Sequence, residues 1–459
     1  MIPTERHPQT QRARPPLNFA ARRPMATLGG LIAGVVIFKM LLLFLLDLKA
    51  PGILTGAVIA ALGDPGRTPL ILKDGWLEYL EVGWALSPWL LQLSSIQIVI
   101  AALLAVFGFL FAITSLVERK VLARIQNRYG PNRVGPWGLF QPLADAIKML
   151  TKEDIVPSGA DKVLHLLAPI VMLVPALLVL AILPYGPEMV PVELGVGILF
   201  FFALGATTEV GIFMAGWGSN NKYSLLGAMR SIAQMISYEI PLFLSAIAVV
   251  MLTGSLMPSA IVDAQSGYAF GFLPNWFVLT PWGFAGFLIF FAAALAESNR
   301  SPFDLPEGES ELIAGHMTEY SGFKYAVFFM AEYIGLFAVC GFAVTLFLGG
   351  WRAPFPFLEG IPGYLWFFFK LYLLVLLAIW IRGTMPRMRG DHLMSFAWKF
   401  MIPMSFSVIF ATAVWHFAGA GLWGWVGSAV IVLLPYFALQ RALAVRYPVA
   451  GRIYRFSES

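Results

Sequence analysis

The chain has 459 residues, of which 59% are hydrophobic and only 12% are charged, and its formal net charge is +5. A soluble globular protein carries about 25% charged residues, so this composition, with a mean hydropathy of +0.76, excludes an ordinary soluble domain and predicts a polytopic membrane protein. One cysteine and five scattered histidines leave no ligand set for a cysteine-bound cluster and no metal-ligand spacing.

Ten apolar runs are long enough to cross about 30 Å of hydrocarbon. The first, 26–47, follows a basic, Pro-rich segment, 1–24, that we predict to be disordered; a cleaved signal peptide is the alternative interpretation of this run. Residues 48–94 are predicted to form an extramembrane loop. The other nine runs are 95–117, 163–184, 193–216, 231–253, 277–296, 325–348, 363–381, 401–418 and 421–440.

Segment 137–152 has apolar residues at helical spacing and charges on the opposite face, which predicts an interfacial helix. The orientation follows from the positive residues. With a cytoplasmic N-terminus, 25 of the 31 Lys and Arg residues fall on cytoplasmic segments and 4 on the opposite side. The cytoplasmic loops are then 118–157, 216–231, 297–320 and 381–399. The third loop is acidic and the other cytoplasmic loops are basic. Packing of the acidic loop against the basic loops would be the simplest way to stabilise its carboxylates.

Among the ionisable residues inside predicted spans, where a charge costs about 2.5–3.5 kcal/mol at a helix centre, we single out Glu239, Glu209 and Lys370. For Glu239 a proton relay is favoured over a structural hydrogen-bonding role, because Pro241 leaves carbonyls that need water or side chains. Glu209 fits a relay and a pairing with a basic group on a neighbouring helix equally well. Lys370 is interpreted as a structural counter-ion or a snorkelling residue.

The stretch 297–320 carries six acidic residues and one arginine, Arg300. Glu307, Glu309 and Glu311 alternate, so no helix presents all three on one face. Clustered carboxylates in a low-dielectric site have pKa values that spread upward, as a proton-transfer chain requires. A solvated acidic loop and a divalent-metal site are the alternatives. The apolar residues within the loop and its break from the positive-inside pattern favour proton transfer.

Several long segments together resemble the H subunit of proton-pumping NADH–quinone oxidoreductase, a membrane subunit of respiratory complex I, over roughly 95–420. They are ERKVLARIQNRYGPNRVGP (118–136), GWGSNNKYSLLGAMRS (216–231), SYE (237–239), ESNRSPFDLPEGESEL (297–312), TEYSG (318–322), MAEY (330–333) and WIRGTMPRMRGDHLMSFAWK (380–399). The resemblance implies an all-α polytopic fold with an eight-helix core at 95–420. Residues 25–94 would then be an extra N-terminal helix with an external loop. Residues 421–459 would be a possible extra C-terminal helix with a basic tail.

The resemblance also implies roles for individual residues around a quinone chamber formed partly by the cytoplasmic loops. The chamber residues are Glu118, Arg119, Arg300, Arg382 and Arg387. The carboxylates between the chamber and the membrane are Asp304, Glu307 and Glu309. The residues that pass protons or a signal toward antiporter-like subunits are Glu239, Glu297 and Glu311.

The same resemblance predicts that this chain binds no cofactor, that quinone is the substrate, and that an iron–sulfur cluster and a flavin belong to partner subunits. The expected partners are peripheral-arm quinone-site subunits, the iron–sulfur subunit, small membrane subunits and the lipid bilayer, with no nucleic acid. The expected location is the bacterial cytoplasmic membrane, as a multi-pass subunit of an oxidoreductase that translocates protons.

The chain departs from the family pattern at His316 and Met317, which stand where an aromatic residue and His or Asn are usual. It departs again at Gly390, in a place where tyrosine is common. Three alternative functions remain: a membrane subunit of a related hydrogenase complex, a stand-alone ion transporter that uses Glu239 and Glu209, and a structural anchor for a peripheral enzyme.

Overall fold

The computed structural model describes residues 88–187, 189–269, 271–305, 314–419 and 421–446. The predicted arm 1–24, the first apolar run 26–47 and most of the loop 48–94 lie outside the described residues. So do three of the predicted carboxylates, Glu307, Glu309 and Glu311.

The described residues are mostly helical, with one two-stranded antiparallel pairing. The helices are α1 (Pro88–Ile125), α2 (Gln141–Thr151), α3 (Lys162–Leu180), α4 (Gly197–Gly218), α5 (Lys222–Thr253), α6 (Pro258–Ala264), α7 (Pro281–Glu297), α8 (Gly322–Phe347), α9 (Gly363–Thr384), α10 (Gly390–Phe396), α11 (Ile402–Ala418) and α12 (Leu422–Arg446). The strands are β1 (Tyr268–Ala269) and β2 (Leu273–Pro274).

Eight helical spans among the described residues are long and apolar enough to cross a membrane, and α7 is apolar but shorter. These nine helices coincide with the nine apolar runs predicted after residue 94. The prediction of an all-α polytopic membrane protein is therefore confirmed. Helix α8 is the most buried of the eight spans, and its own aromatic side chains, such as Phe337 and Phe342, lie in the hydrophobic core.

The predicted cytoplasmic loop 216–231 is wrong, because most of it is helical. Helix α4 ends at Gly218 and α5 begins at Lys222, after Asn221, whose side chain accepts from the Tyr223 N–H as an N-cap. The polar residues of the first two turns of α5 lowered its hydropathy and hid its start. Two antiparallel helices therefore meet at a three-residue turn.

The predicted interfacial helix 137–152 is shorter than expected and begins at Gln141. Gly135 (φ 70°) and Gly138 (φ 76°) have left-handed backbone conformations, which end the preceding turn before the helix can start. A Cβ on Gly138 would lie 2.3 Å from the carbonyl oxygen of Pro131, so this turn requires glycine.

The span predicted at 401–418 starts earlier, at Gly390. A π-helical turn at Ala397–Met401 joins α10 to α11, so Pro403 lies inside a continuous span instead of opening it. The Trp398 indole N–H donates to Ser237 Oγ at 3.3 Å beside this turn, and Tyr238 donates to the Leu393 carbonyl at 2.9 Å. These two bonds fix the span against α5.

A polar cluster at the C-terminal end of α8 corrects the interpretation of Lys370. The Lys370 ammonium donates to the carbonyls of Leu348, Gly350 and Arg352 at 2.7, 2.9 and 2.7 Å. It also lies 4.0 Å from the ring centroid of Trp276. Lys370 thus satisfies the carbonyls that follow a helix end, and no carboxylate of a described residue serves as its counter-ion.

Candidate functional site

Glu118 lies at the centre of a buried charge cluster at the end of the bundle opposite Lys370. Its Oε2 accepts from Arg300 Nη1 at 3.0 Å and from the Tyr333 hydroxyl at 2.6 Å. Its Oε1 accepts from Arg382 Nη1. The side chains of Glu118 and Arg300 are 3% and 6% exposed. Helices α1, α8 and α9 and the turn after α7 therefore meet at one carboxylate.

Two guanidinium groups, those of Arg300 and Arg382, contact the single carboxylate of Glu118. The guanidinium of Arg300 also lies 4.3 Å from the ring centroid of Tyr333, a cation–π distance. Burial alone would lower the pKa of Arg300, but the Glu118 carboxylate outweighs it, and the pKa lies above its ordinary value. Arg300 is therefore held as a permanent cation. Arg382, with a side chain 35% exposed, extends the cluster toward the surface.

The first part of the acidic stretch is attached to the bundle by Gln234 of α5. The Gln234 side-chain amide donates to the carbonyls of Ala296 and Phe303 at 2.7 and 2.6 Å. The backbone N–H of Met388 donates to the Pro302 carbonyl at 3.0 Å. The described part of the acidic loop therefore packs against the basic segment 381–399, as expected, and the half-buried Asp304 directly follows these contacts in the chain.

Glu297, the last residue of α7, lines a small cavity between α3, α4, α5, α7 and α8. The cavity has a volume of about 70 Å³, and Glu332 of α8 also lines it. This volume has room for several water molecules, each of which needs roughly 10–15 Å³. Glu297 Oε1 lies 3.3 Å from the position that a Cβ on Gly205 would occupy, so the glycine leaves space for the carboxylate.

The carboxylates of Glu209 on α4 and Glu239 on α5 lie close enough to Glu297 for electrostatic repulsion among all three. Both are only half-buried, on the side of the α4–α5 pair. No salt bridge joins Glu209 to a basic side chain within the described ranges, so the pairing considered for it from the sequence is not found there. The three carboxylates form one group that continues from the cavity to the lateral surface.

Two predicted chamber residues lie apart from the Glu118 cluster. Arg119 turns to α2 and pairs with Asp145 at 2.5 Å, with side chains 48% and 24% exposed. Arg387 is exposed, in the segment between α9 and α10. The structure thus brings together Glu118, Arg300 and Arg382 but leaves Arg119 and Arg387 outside that group.

Three residues of the site were not singled out from the sequence: Tyr333, Glu332 and Gln234. Tyr333 and Glu332 occur in the segment MAEY, which contributed to the resemblance but had no assigned role. An acidic residue inside an apolar run was a usable signal for Glu332. Gln234 offered no such signal, because its role depends on the carbonyls that face it. In the described part of the chain, no group of three His, Cys, Asp or Glu side chains is arranged to hold a metal ion.

Fold and site together define a polytopic membrane protein with a buried charge cluster at one end and a group of intramembrane carboxylates beside it. The model of the NADH dehydrogenase family matches residues 98–413. The chain belongs to this family.

Individual relatives agree with this assignment. The chain is 49% identical over 314 residues to the H subunit of NADH-quinone oxidoreductase from Dehalococcoides mccartyi strain CBDB1, covering 68% of this chain and 85% of that protein. It is 50% identical over 313 residues to the equivalent protein of Bacillus cytotoxicus, covering 68% and 91%. It is 46% identical over 350 residues to that of Geobacillus kaustophilus, covering 75% and 100%. The resemblance to this membrane component of complex I, predicted from the loop motifs, is confirmed.

Proposed function

We propose that this chain acts in NADH–quinone oxidoreductase as one wall of the quinone-binding chamber and couples quinone reduction to proton translocation through its carboxylates. The observation that carries the proposal is the Glu118 cluster, in which Arg300 and Arg382 share one carboxylate. Two guanidinium groups held at fixed positions would stabilise negative charge that develops on a bound quinone. The electrons would arrive from an iron–sulfur cluster in a partner subunit, with a flavin farther along the peripheral arm.

The coupling step follows from how the cluster is connected to the carboxylates. Tyr333 holds Glu118, and its neighbour Glu332 lines the cavity that also contains Glu297. Asp304 lies on the loop between Arg300 and the basic segment 381–399. A change of charge at the chamber alters the cost of ionising Asp304 and Glu297, and water in the cavity would carry protons onward to Glu239. Glu307, Glu309 and Glu311 are proposed to extend this set from the same loop.

Arg119 and Arg387 are proposed to complete the chamber from its rim, because both are exposed cations on the side of the bundle that carries the Glu118 cluster. The proposed partners are the peripheral-arm quinone-site and iron–sulfur subunits and small membrane subunits. The proposed location is the cytoplasmic membrane of a bacterium.

The test uses the intact complex in native membranes. Arg382→Ala and Asp304→Ala are expected to lower NADH–quinone activity at least about tenfold, the scale for losing one stabilising charge in an active site. NADH oxidation with a water-soluble acceptor should persist, because the peripheral arm is untouched. Arg352→Ala is the matched control, since Arg352 pairs with Asp263 at the opposite end of the bundle and its side chain is 40% exposed. Unchanged quinone activity in both test variants would contradict the proposal.

A further inference from the structure

A second polar group lies where the segment after α2 crosses the start of α8. Lys324 of α8 pairs with Asp154 through Nζ and Oδ2 at 2.8 Å, with side chains 16% and 48% exposed. The same ammonium lies 3.5 Å from Nδ1 of His165 on α3, and His165 is fully buried. These contacts lead from an exposed carboxylate to an imidazole inside the bundle. We call Asp154, Lys324 and His165 the His165 group.

The neighbours of His165 determine which of its ring nitrogens carries the proton. The Lys324 ammonium can only donate, so Nδ1 accepts. Nε2 lies 3.4 Å from the carbonyl oxygen of Glu319, which can only accept, so Nε2 carries the proton. The imidazole is therefore neutral, with one nitrogen turned to a proton donor near the surface and the other turned away from it. A histidine held in this way can take up a proton at Nδ1 and release one from Nε2.

Tyr320 continues the His165 group toward the middle of the bundle. Its ring stacks on the ring of His165, with centroids 4.0 Å apart and an interplanar angle of 8°. It also meets the Phe328 ring edge-on at 4.7 Å. The Tyr320 hydroxyl is buried and has no hydrogen-bond partner within the described ranges. A buried hydroxyl without a partner costs about 1–3 kcal/mol, so a water molecule that reached this hydroxyl would be stabilised there.

The hydrophobic cluster that contains Tyr320 reaches the cavity beside Glu297. Three members of this cluster also line the cavity: Met172, Met235 and Ala331. His165 lies seven residues before Met172 on α3, and Lys324 lies seven residues before Ala331 on α8. Seven residues rise about 10 Å along a helix. The His165 group and the cavity are therefore neighbours along two shared helices.

The same hydrophobic cluster separates the His165 group from the cavity. Its buried members are apolar apart from the Tyr320 hydroxyl, so a proton crosses it only when water molecules stand in line. Two of the residues at the cavity wall are Met172 and Met235, whose unbranched side chains rearrange readily. Their movement would admit water, and their return would prevent the proton from flowing back.

We propose that the His165 group and Tyr320 form a proton-entry site that supplies the cavity from the aqueous side, by a route separate from the quinone chamber. Lys324 donates a proton from Nζ to Nδ1 of His165 and is reprotonated from water at the surface. The Nε2 proton leaves through water beside the Tyr320 hydroxyl and binds the Glu297 carboxylate. One proton enters for each proton bound. Because it supplies carboxylates that couple quinone reduction to proton translocation, this entry site rests on the proposed function.

The test measures protons translocated per NADH oxidised by the intact complex in inverted membrane vesicles, together with NADH–quinone activity in the presence of an uncoupler. His165→Gln retains a donor and an acceptor but cannot pass a proton. Tyr320→Phe removes only a hydroxyl without a partner, so the fold is retained. Both variants are expected to lower the proton-to-NADH ratio while uncoupled quinone activity stays near that of the original protein. A normal ratio in both variants would overturn the proposal.

Lys324→Arg distinguishes a proton relay from a structural ion pair. Arginine keeps the positive charge that pairs with Asp154 but does not release its proton. We expect a lower proton-to-NADH ratio at a normal yield of complex, and a normal ratio would overturn proton entry through Lys324. The matched controls are Lys162→Arg, exposed at the start of α3, and His416→Gln, exposed in the last turn of α11. Both controls should leave the ratio unchanged.

The proposed function and the proton-entry site fail in different measurements. Unchanged quinone activity in Arg382→Ala and Asp304→Ala contradicts the role in the quinone chamber. An unchanged proton-to-NADH ratio in His165→Gln and Tyr320→Phe contradicts the entry site, whatever the quinone activity of the first two variants.

Discussion

Arg300 Nη1 donates to Glu118 Oε2 at 3.0 Å, and neither side chain is more than 6% exposed. Glu118→Ala therefore leaves Arg300 as an uncompensated buried cation, and we expect a loss of about 3–5 kcal/mol in the free energy of unfolding. The measurement is the thermal unfolding midpoint and the yield of the assembled complex. Asp145→Ala removes the half-buried partner of the exposed Arg119 and is the control, with an expected cost of about 0–1 kcal/mol. Equal losses in both variants would contradict the assignment of the buried cluster.

Gln234 holds the loop after α7 through two short bonds to carbonyls. Gln234→Ala leaves both carbonyls without this donor, at a cost of about 1–3 kcal/mol, and the loop that carries Asp304 loses its position. We expect faster proteolysis within 298–305 and a raised KM for quinone. Thr253→Ala on the same helix is the control, because its hydroxyl only donates to carbonyls near the helix end. Normal proteolysis and a normal KM in Gln234→Ala would show that Gln234 does not position the loop of the site.

Burial lowers the pKa of His316 from 6.5 to about 4, and neither ring nitrogen has a hydrogen-bond partner. The native state therefore keeps the imidazole neutral, whereas the unfolded chain takes up a proton below pH 6.5. The contribution of His316 to stability is complete above pH 6.5 and is lost as the pH falls toward 4. His316→Phe removes this proton linkage and also restores an aromatic residue at this position.

We expect the thermal midpoint of the His316→Phe complex to match or exceed that of the original protein, because a buried donor without an acceptor is removed. Between pH 6.5 and 4 its midpoint should decline less steeply. Other groups titrate in both proteins, so the difference between the two pH profiles reports His316. Parallel profiles would show that His316 does not control acid stability.

Lys370 satisfies three carbonyls at the end of α8. Lys370→Met retains most of the aliphatic volume but removes every donor, so we expect destabilisation on the order of 2–4 kcal/mol. Twelve residues separate Lys370 from Arg382 on α9, about 18 Å along the helix. Quinone activity per assembled complex should therefore stay near normal. The yield of assembled complex reports the loss of stability, and the quinone activity per complex reports any effect on catalysis. A loss of activity at normal yield would contradict a structural role for Lys370.

The sequence was sufficient for the fold class because membrane spans are set by hydropathy over about 20 residues. It was insufficient where local polarity opposed helix formation, as at the start of α5, and where a π-helical turn carried a helix past Pro403. For the site, the loop motifs predicted five chamber residues, of which the structure brings Glu118, Arg300 and Arg382 together. They could not reveal that Arg119 turns toward Asp145, or that Gln234 and Tyr333 hold the cluster. Those relationships depend on contacts between helices far apart in the chain.

Helix α7 has 17 residues, and its rise of about 26 Å falls short of the roughly 30 Å of hydrocarbon that a spanning helix crosses. We expect this shortfall to place Glu297, at the end of α7, within the hydrocarbon layer, because its Oε2 is buried beside the cavity. A proton that binds Glu297 from either aqueous phase has already crossed part of the transmembrane voltage, which is worth about 2.3 kcal/mol per charge for each 100 mV of full crossing. At that depth we expect membrane potential to change the proton occupancy of Glu297 in proportion to the fraction of the voltage that the proton crosses.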